Sequence, residues 1–261
     1  MEFATPLIRG TLLRRYKRFL ADILLEDGSE VTAHCANPGA LMGLNAPGLR
    51  VWLERAQNPK RKLPYSWRLV ELPEGGMAGI DTSLPNKLVA EALAEGRIAE
   101  LAGYAQYRPE VRYSTNSRVD FLATAEGRPD AYVEVKNVHL RRESDWAEFP
   151  DCVTARGTKH LHDLSEMVAQ GHRAVMLYVI QRTDCARFRL AADLDPAYAR
   201  AFEQATCAGV EALAYACDIT TTGIRLAHRL PVPAVQSAMA QDATTQDAPT
   251  QQAPGAAMAS G

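Results

Sequence analysis

Ser117-Arg118-Val119-Asp120-Phe121-Leu122-Ala123, the run Glu126-Gly127-Arg128-Pro129-Asp130, and Ala131-Tyr132-Val133-Glu134-Val135-Lys136-Asn137-Val138 decide how this chain is read. The outer segments predict two short β-strands and the middle run predicts the turn that makes them neighbours. Side chains two residues apart on a strand share a face, so Glu134 and Lys136 project together while Val133 and Val135 point the other way into a core. The hairpin brings Asp120 alongside. Two carboxylates and one ammonium converging there suit a divalent cation and an anionic substrate: carboxylate oxygens hold Mg²⁺ or Mn²⁺, and the lysine meets a phosphate or an attacking water. The pattern predicts a metal-dependent nuclease site built from Asp120, Glu134 and Lys136. The competing reading is a cross-strand ion pair on a solvated face, because an Asp followed by Glu-x-Lys recurs in many charged sequences. The β-branched character of residues 132–138 favours the first reading, since unpaired charge on such a strand is costly without a role.

A chain of 261 residues with 47% hydrophobic content has room for one large core or two smaller ones. No apolar run reaches the roughly 18 residues a membrane-spanning helix needs. The start, Met1-Glu2-Phe3-Ala4-Thr5-Pro6, lacks the pattern of a signal peptide. The expectation is a cytoplasmic protein with no membrane partner. Five cysteines, spread without any Cys-x-x-Cys pair, read as reduced thiols and exclude a zinc ribbon or disulfide scaffold. His160 and His162 are spaced too closely to share a helix face, which argues against a His-His metal pair. Net charge is −2, yet residues 1–70 hold eleven Lys or Arg against six acidic residues. That basic first quarter suits a face that contacts phosphates.

Short apolar segments at 7–13, 19–25, 31–35, 49–55 and 67–72, separated by turns such as Asp27-Gly28 and Asn37-Pro38-Gly39, predict a small β-barrel. A boundary is expected at Pro73-Glu74-Gly75-Gly76, which gives a barrel over 1–76. Beyond it come a helix over 87–101, strands at 106–112, 117–123 and 131–138, and a helix over 154–170 ended by Gly171. A fully apolar strand at 174–180, a helix from Pro196 to Cys207 and a last strand at 210–217 follow. This order predicts an α/β (α+β) domain with a mixed sheet over 77–232. Residues 233–261, rich in Ala, Gln, Thr, Pro and Gly, are expected to be a disordered tail.

With these residues in hand, the chain resembles the bacterial sugar fermentation stimulation protein family, SfsA, over nearly all of residues 5–230. The likeness rests on His34-Cys35-Ala36-Asn37-Pro38-Gly39, Arg61-Lys62-Leu63-Pro64-Tyr65-Ser66-Trp67, Leu84-Pro85-Asn86-Lys87-Leu88-Val89, Ser117-Arg118-Val119-Asp120-Phe121 and Thr154-Ala155-Arg156-Gly157-Thr158-Lys159-His160-Leu161, together with residues 15–20 and 132–138. The resemblance implies an N-terminal OB-fold and a C-terminal domain of the restriction-endonuclease-like PD-(D/E)XK fold. It also implies DNA as the partner and a regulatory link to sugar, notably maltose, metabolism. Carried over from nucleases of that fold, Glu91 matches a metal-ligating acid on the first helix, Asp120 the acid of the second strand, and Glu134 and Lys136 the Glu-x-Lys. The proline that usually precedes the Asp is Val119 here.

The phosphate-contacting residues expected are Arg14, Arg15, Lys17 and Arg18, and Lys60, Arg61 and Lys62 with Tyr65 and Trp67 interleaved. Trp67 is expected in the core. Glu110 rivals Glu91 for a supporting role, and Lys159 and His160 belong to a helix that can face the cleft. The functional expectation is a DNA-binding protein with little sequence preference and a Mg²⁺-dependent nuclease-like site. The alternatives are a non-catalytic DNA-binding regulator and a small-molecule-binding regulator.

Overall fold

A computed structural model of the chain describes residues 1–114 and 117–233. The predicted tail therefore lies outside the described residues apart from its first position. Six strands build the N-terminal sheet: β1 (Leu7–Tyr16), β2 (Leu20–Leu25), β3 (Glu30–Cys35), β4 (Arg50–Arg55), β5 (Tyr65–Glu71) and β6 (Met77–Gly79). Their order is β3-β2-β1-β4-β5-β6, and a parallel pairing of β3 with β5 closes the first five into a barrel. Leu12, Ile23, Leu53 and Trp67 are fully buried inside it. Trp67 is thus a core residue, its indole N–H donating to the Leu69 carbonyl at 3.0 Å. Gly10 lets β1 and β2 approach, since a Cβ there would sit 2.5 Å from Ile23 Cγ2. The expected Asp27-Gly28 turn is present, with Gly28 at φ 84°.

The barrel does not end at residue 76. Gly75 and Gly76, at φ 96° and 90°, make a tight reversal that returns β6 onto β5, pairing Leu69 with Gly79. A glycine-rich turn inside a hairpin and a linker look alike in sequence; the paired backbone distinguishes them. The passage to the second domain is pinned from both sides. Arg68 bridges Glu54 and the buried Asp81, and Asn37 donates to the Ile80 carbonyl at 2.8 Å. Asp81 Oδ1 accepts the Ser83 backbone N–H at 2.8 Å, just before the next helix.

That helix, α1 (Pro85–Ala94), stops where Gly96 takes φ 67°, and residues Ala99–Leu101 form a separate 3₁₀ turn. The predicted helix over 87–101 is therefore two pieces. There follow β7 (Gln106–Ser114), β8 (Ser117–Thr124), β9 (Ala131–Val138), β10 (Trp146–Phe149), α2 (Ala155–Ala169), β11 (Arg173–Ile180), β12 (Arg187–Leu190), α3 (Pro196–Cys207), β13 (Glu211–Ile219) and β14 (Ile224–Leu230). The main sheet runs β14-β13-β11-β9-β8-β7. Its centre β9-β11-β13 is parallel, while β7-β8-β9 and β13-β14 pair antiparallel. Helix α1 covers one face with Leu88, Val89 and Ala92 over Val133 and Val135. The other face carries α2 and α3, with Leu161, Leu164 and Phe202 packed over Met176 and Tyr178. β11, apolar and buried from Ala174 to Ile180, is covered on both sides as expected.

Besides β6, three strands escape the sequence reading. β10 and β12 form a separate two-stranded parallel sheet, and β14 is an added edge beyond β13. The first two are four residues each, too short to show a period. Cys35, Cys185 and Cys217 are buried free thiols, and Cys152 and Cys207 are exposed. Among the described residues no helix is long and apolar enough to cross a membrane.

Candidate active site

The β8–β9 ladder pairs Ala123 with Ala131 and Phe121 with Val133, which carries Asp120 to the level of Glu134 at the end of the hairpin. There the Asp120 carboxylate replaces a ladder partner: Oδ2 accepts the Val135 backbone N–H at 2.7 Å. Its Oδ1 accepts the Asn86 side-chain N–H at 2.7 Å, from the first turn of α1. Glu134 is only 3% exposed. Its Oε1 accepts Lys136 Nζ at 2.7 Å and also the ring nitrogen Nδ1 of His160 from α2. Lys136 Nζ and His160 Nδ1 stand 3.2 Å apart because they share that oxygen. The other oxygen, Glu134 Oε2, is buried with no hydrogen-bond partner. His160 Nε2 in turn accepts Arg156 Nε at 3.3 Å, one helical turn back on α2.

Helix α2 is held in place at its start. Thr154 Oγ1 accepts the Gly157 N–H at 3.1 Å, and the Thr154 N–H donates to Asp195 at 2.7 Å. The resulting cleft, of about 360 Å³, is walled by Thr82 and Ser83 from the interdomain segment as well as by the hairpin and both helices. Burial and the nearby Glu134 charge raise the Asp120 pKa, against the opposing Val135 and Asn86 hydrogen bonds. Burial acts to raise Glu134 as well. There the His160 hydrogen bond and the Lys136 charge outweigh it, so the Glu134 carboxyl lies below its ordinary range. One acid is thus favoured as an anion and its neighbour is held as an anion only at a cost, which a cation would relieve.

Asp120, Glu134 and Lys136 therefore meet as the hairpin reading expects. Glu91 does not join them. It lies on α1, but five residues past Asn86 its side chain faces away from the cleft. Its Oε2 is 2.7 Å from the Met1 α-ammonium and its Oε1 accepts Arg97 at 2.8 Å. Asn86 is the α1 side chain that reaches Asp120, a role the sequence signals only by its place in Leu84-Pro85-Asn86. Glu110 is exposed at φ 53° on β7. Ser117 binds Asp163 and receives Lys159 Nζ at 2.5 Å. Arg156 is a site residue that the sequence reading misses, although its i,i+4 spacing to His160 on one helix face is readable.

The predicted basic residues divide. Arg15 is structural: it donates to the carbonyls of Asn37 and Gly39 at 2.7 and 2.9 Å. Arg14 pairs with Asp22 at 2.8 Å and Arg61 donates to Ser66 at 3.0 Å. Lys17, Arg18, Lys60 and Lys62 are exposed. Phe19, next to Arg18 in sequence, is 45% exposed and stacks on His34 with ring centroids 6.4 Å apart.

Among the described residues no group of three or more His, Cys, Asp or Glu side chains is arranged to hold a metal ion. The donor set for a hard cation is two carboxylates, and the unpartnered Glu134 Oε2 is the atom that fits one. Water and phosphate oxygens complete such sets when Mg²⁺ binds.

The profile described as the SfsA N-terminal OB domain matches residues 13–80, and that described as the sugar fermentation stimulation protein RE domain matches residues 83–223. The chain belongs to the sugar fermentation stimulation protein family. A homolog of this family from Jannaschia sp. (strain CCS1) is 65% identical over 233 residues, 89% of this chain and 97% of the relative. Another from Dinoroseobacter shibae is 63% identical over 244 residues, 93% of this chain and the whole of the relative. Among solved structures, Pyrococcus furiosus SfsA in complex with Ca²⁺ superposes with a TM-score of 0.79 at 28% identity, covering 90% of this chain and 98% of that one. The two family domains meet between residues 80 and 83, at the Asp81 junction rather than at residue 76.

Proposed function

We propose that this family member binds DNA across its barrel and holds a divalent cation, Mg²⁺ or Mn²⁺, between Asp120 and Glu134 for phosphodiester hydrolysis. The observation that carries the reading is Glu134 Oε2: a buried carboxylate oxygen without a partner, beside a second, half-buried acid held only by neutral donors. Burying two acids together is unfavourable unless a cation or a proton joins them. The complex of Pyrococcus furiosus SfsA with Ca²⁺ supports a divalent-ion site in the family. A bound ion would supply positive charge toward a phosphoryl oxygen. The chain's own residues do the rest. Asn86 and the Val135 N–H orient Asp120, His160 orients Glu134, and Lys136 places an ammonium at the cleft to stabilise charge on the phosphate or to orient the attacking water.

DNA as the partner is supported by the exposed cations Lys17, Arg18, Lys60 and Lys62 on a fold that binds oligonucleotides elsewhere. No base-reading helix is evident among the described residues, so little sequence preference is expected. A second reading, a DNA-binding regulator of sugar metabolism that cuts nothing, draws on the Lys136–Glu134 pair, which already neutralises the lysine. A nuclease assay on duplex DNA, single-stranded DNA and RNA with Mg²⁺ or Mn²⁺ separates the two. Metal-dependent cleavage abolished by Asp120→Asn supports the first reading; DNA binding without cleavage under any of these conditions supports the second.

A further inference from the structure

We infer that Arg156 is the phosphate-holding arm of this site and that His160 is the positioning residue that fixes both Arg156 and Glu134. The inference rests on the metal-site reading above and adds two α2 residues to it. His160 uses both ring nitrogens. Because Nε2 accepts from Arg156 Nε, the ring proton sits on Nδ1, where it donates to Glu134 Oε1. One buried imidazole, 4% exposed, thus ties the carboxylate on β9 to the guanidinium on α2. Packing of α2 onto the sheet through Leu161 and Leu164 keeps the ring there.

Arg156 differs from the other cation of the cleft. Lys136 is neutralised by Glu134 at 2.7 Å. Among the described residues Arg156 makes no ion pair, its only hydrogen bond uses Nε, and it is exposed at the wall of the same cleft. Both Nη groups of the guanidinium are left for a ligand with two acceptor oxygens. A phosphodiester is such a ligand, and guanidinium forks match phosphate oxygens in pairs. The charges agree. Asp120 and Glu134 balance Lys136 and Arg156, so a divalent cation leaves the cleft doubly positive, which complements the charge that builds up on a phosphate under attack.

The test measures binding of a short fluorescein-labelled DNA duplex by anisotropy at several salt concentrations in Ca²⁺, alongside Mn²⁺ binding by calorimetry. Arg156→Ala should weaken DNA binding about tenfold and reduce the slope of log affinity against log salt by about 0.9, the value of one neutralised phosphate. Arg156→Lys should restore the slope, and neither variant should alter Mn²⁺ affinity by more than about twofold. His160→Ala should weaken both Mn²⁺ and DNA binding, while His160→Gln, whose amide can donate to Glu134 and accept from Arg156, should recover both. Arg156→Ala with wild-type affinity and slope, in a protein that still binds Mn²⁺ through Asp120, overturns this inference and leaves the metal site standing. Wild-type protein that binds no Mn²⁺ overturns both.

Discussion

The Val135 backbone N–H donates to Asp120 Oδ2 across the β8–β9 hairpin at 2.7 Å. Val135 lies between Glu134 and Lys136, so the bond that fixes Asp120 also fixes the stretch of strand from which the other two side chains project. Asn86 completes the hold on Asp120 from α1. Both donors are neutral. They orient the carboxylate without cancelling its charge, and that charge remains available to a cation.

Asp120→Asn preserves an oxygen for the Val135 N–H and removes a charge that burial disfavours, and Asn86 can turn its amide to accept from the new Nδ2, so the metal-free variant should melt close to wild type. Mn²⁺ at about a hundred times its dissociation constant should stabilise wild type by roughly 2.7 kcal/mol and leave the variant unchanged. Since burial and Glu134 raise the Asp120 pKa, protons should compete with the cation from a pH above the ordinary carboxylate value of about 3.9. Thermal melts with and without Mn²⁺ across pH check both points; a metal-induced rise that survives in Asp120→Asn would contradict the assignment.

Replacing Lys60, Arg61 and Lys62 together by Ala should reduce the salt slope of duplex DNA binding by up to roughly 2.7, at about 0.9 for each phosphate that is no longer neutralised. Arg61 also bonds Ser66, so a small loss of stability is expected with it. Anisotropy titrations over a salt series read the slope, and unchanged slope and affinity would remove the β4–β5 loop from the DNA-binding face.

Glu148 is fully buried on β10 and receives Arg142 and Arg189 at 2.8 Å each. Burial acts to raise its pKa, but the two guanidinium hydrogen bonds prevail and hold it below the usual range. A depressed carboxylate contributes stability above its unfolded pKa, about 4.3, and loses it as pH falls through the folded value. Glu148→Gln should therefore cost about 1–3 kcal/mol at pH 7, and the difference from wild type should shrink below about pH 4. Urea unfolding at both pH values decides; a gap that widens in acid would mean that Glu148 is held above the usual range instead.

Tyr178 and Tyr198 share a hydrogen bond at 2.6 Å in the core between the sheet and α3. Either single change to Phe strands the other hydroxyl and should cost about 1–3 kcal/mol, while the double change removes both polar groups and should cost less than the sum. A double-mutant cycle by urea unfolding measures this coupling, and strictly additive losses would show that the two hydroxyls act independently.

Period-two alternation, turn residues and continuous apolar runs are local properties, and what they encode was legible. The five barrel strands, the hairpin that joins Asp120 to Glu134 and Lys136, the doubly covered β11 and the start of α3 at Pro196 all follow from them. Short strands and edge strands are not encoded that way. β10 and β12 are stabilised by each other across some forty residues of chain, and β6 by its return onto β5. Nor does a sequence state which faces meet. Glu91 and Asn86 share a helix, yet the angle of α1 over the sheet delivers only Asn86 to Asp120 and leaves Glu91 to Met1 and Arg97. The docking of α2 likewise decides that His160 reaches Glu134 and that Arg156 lines the cleft. Backbone periodicity is short-ranged, so residue order carries the strands and the acids on them; a hydrogen bond is selected by proximity in space, so the partners of those acids are set by how the helices pack on the sheet.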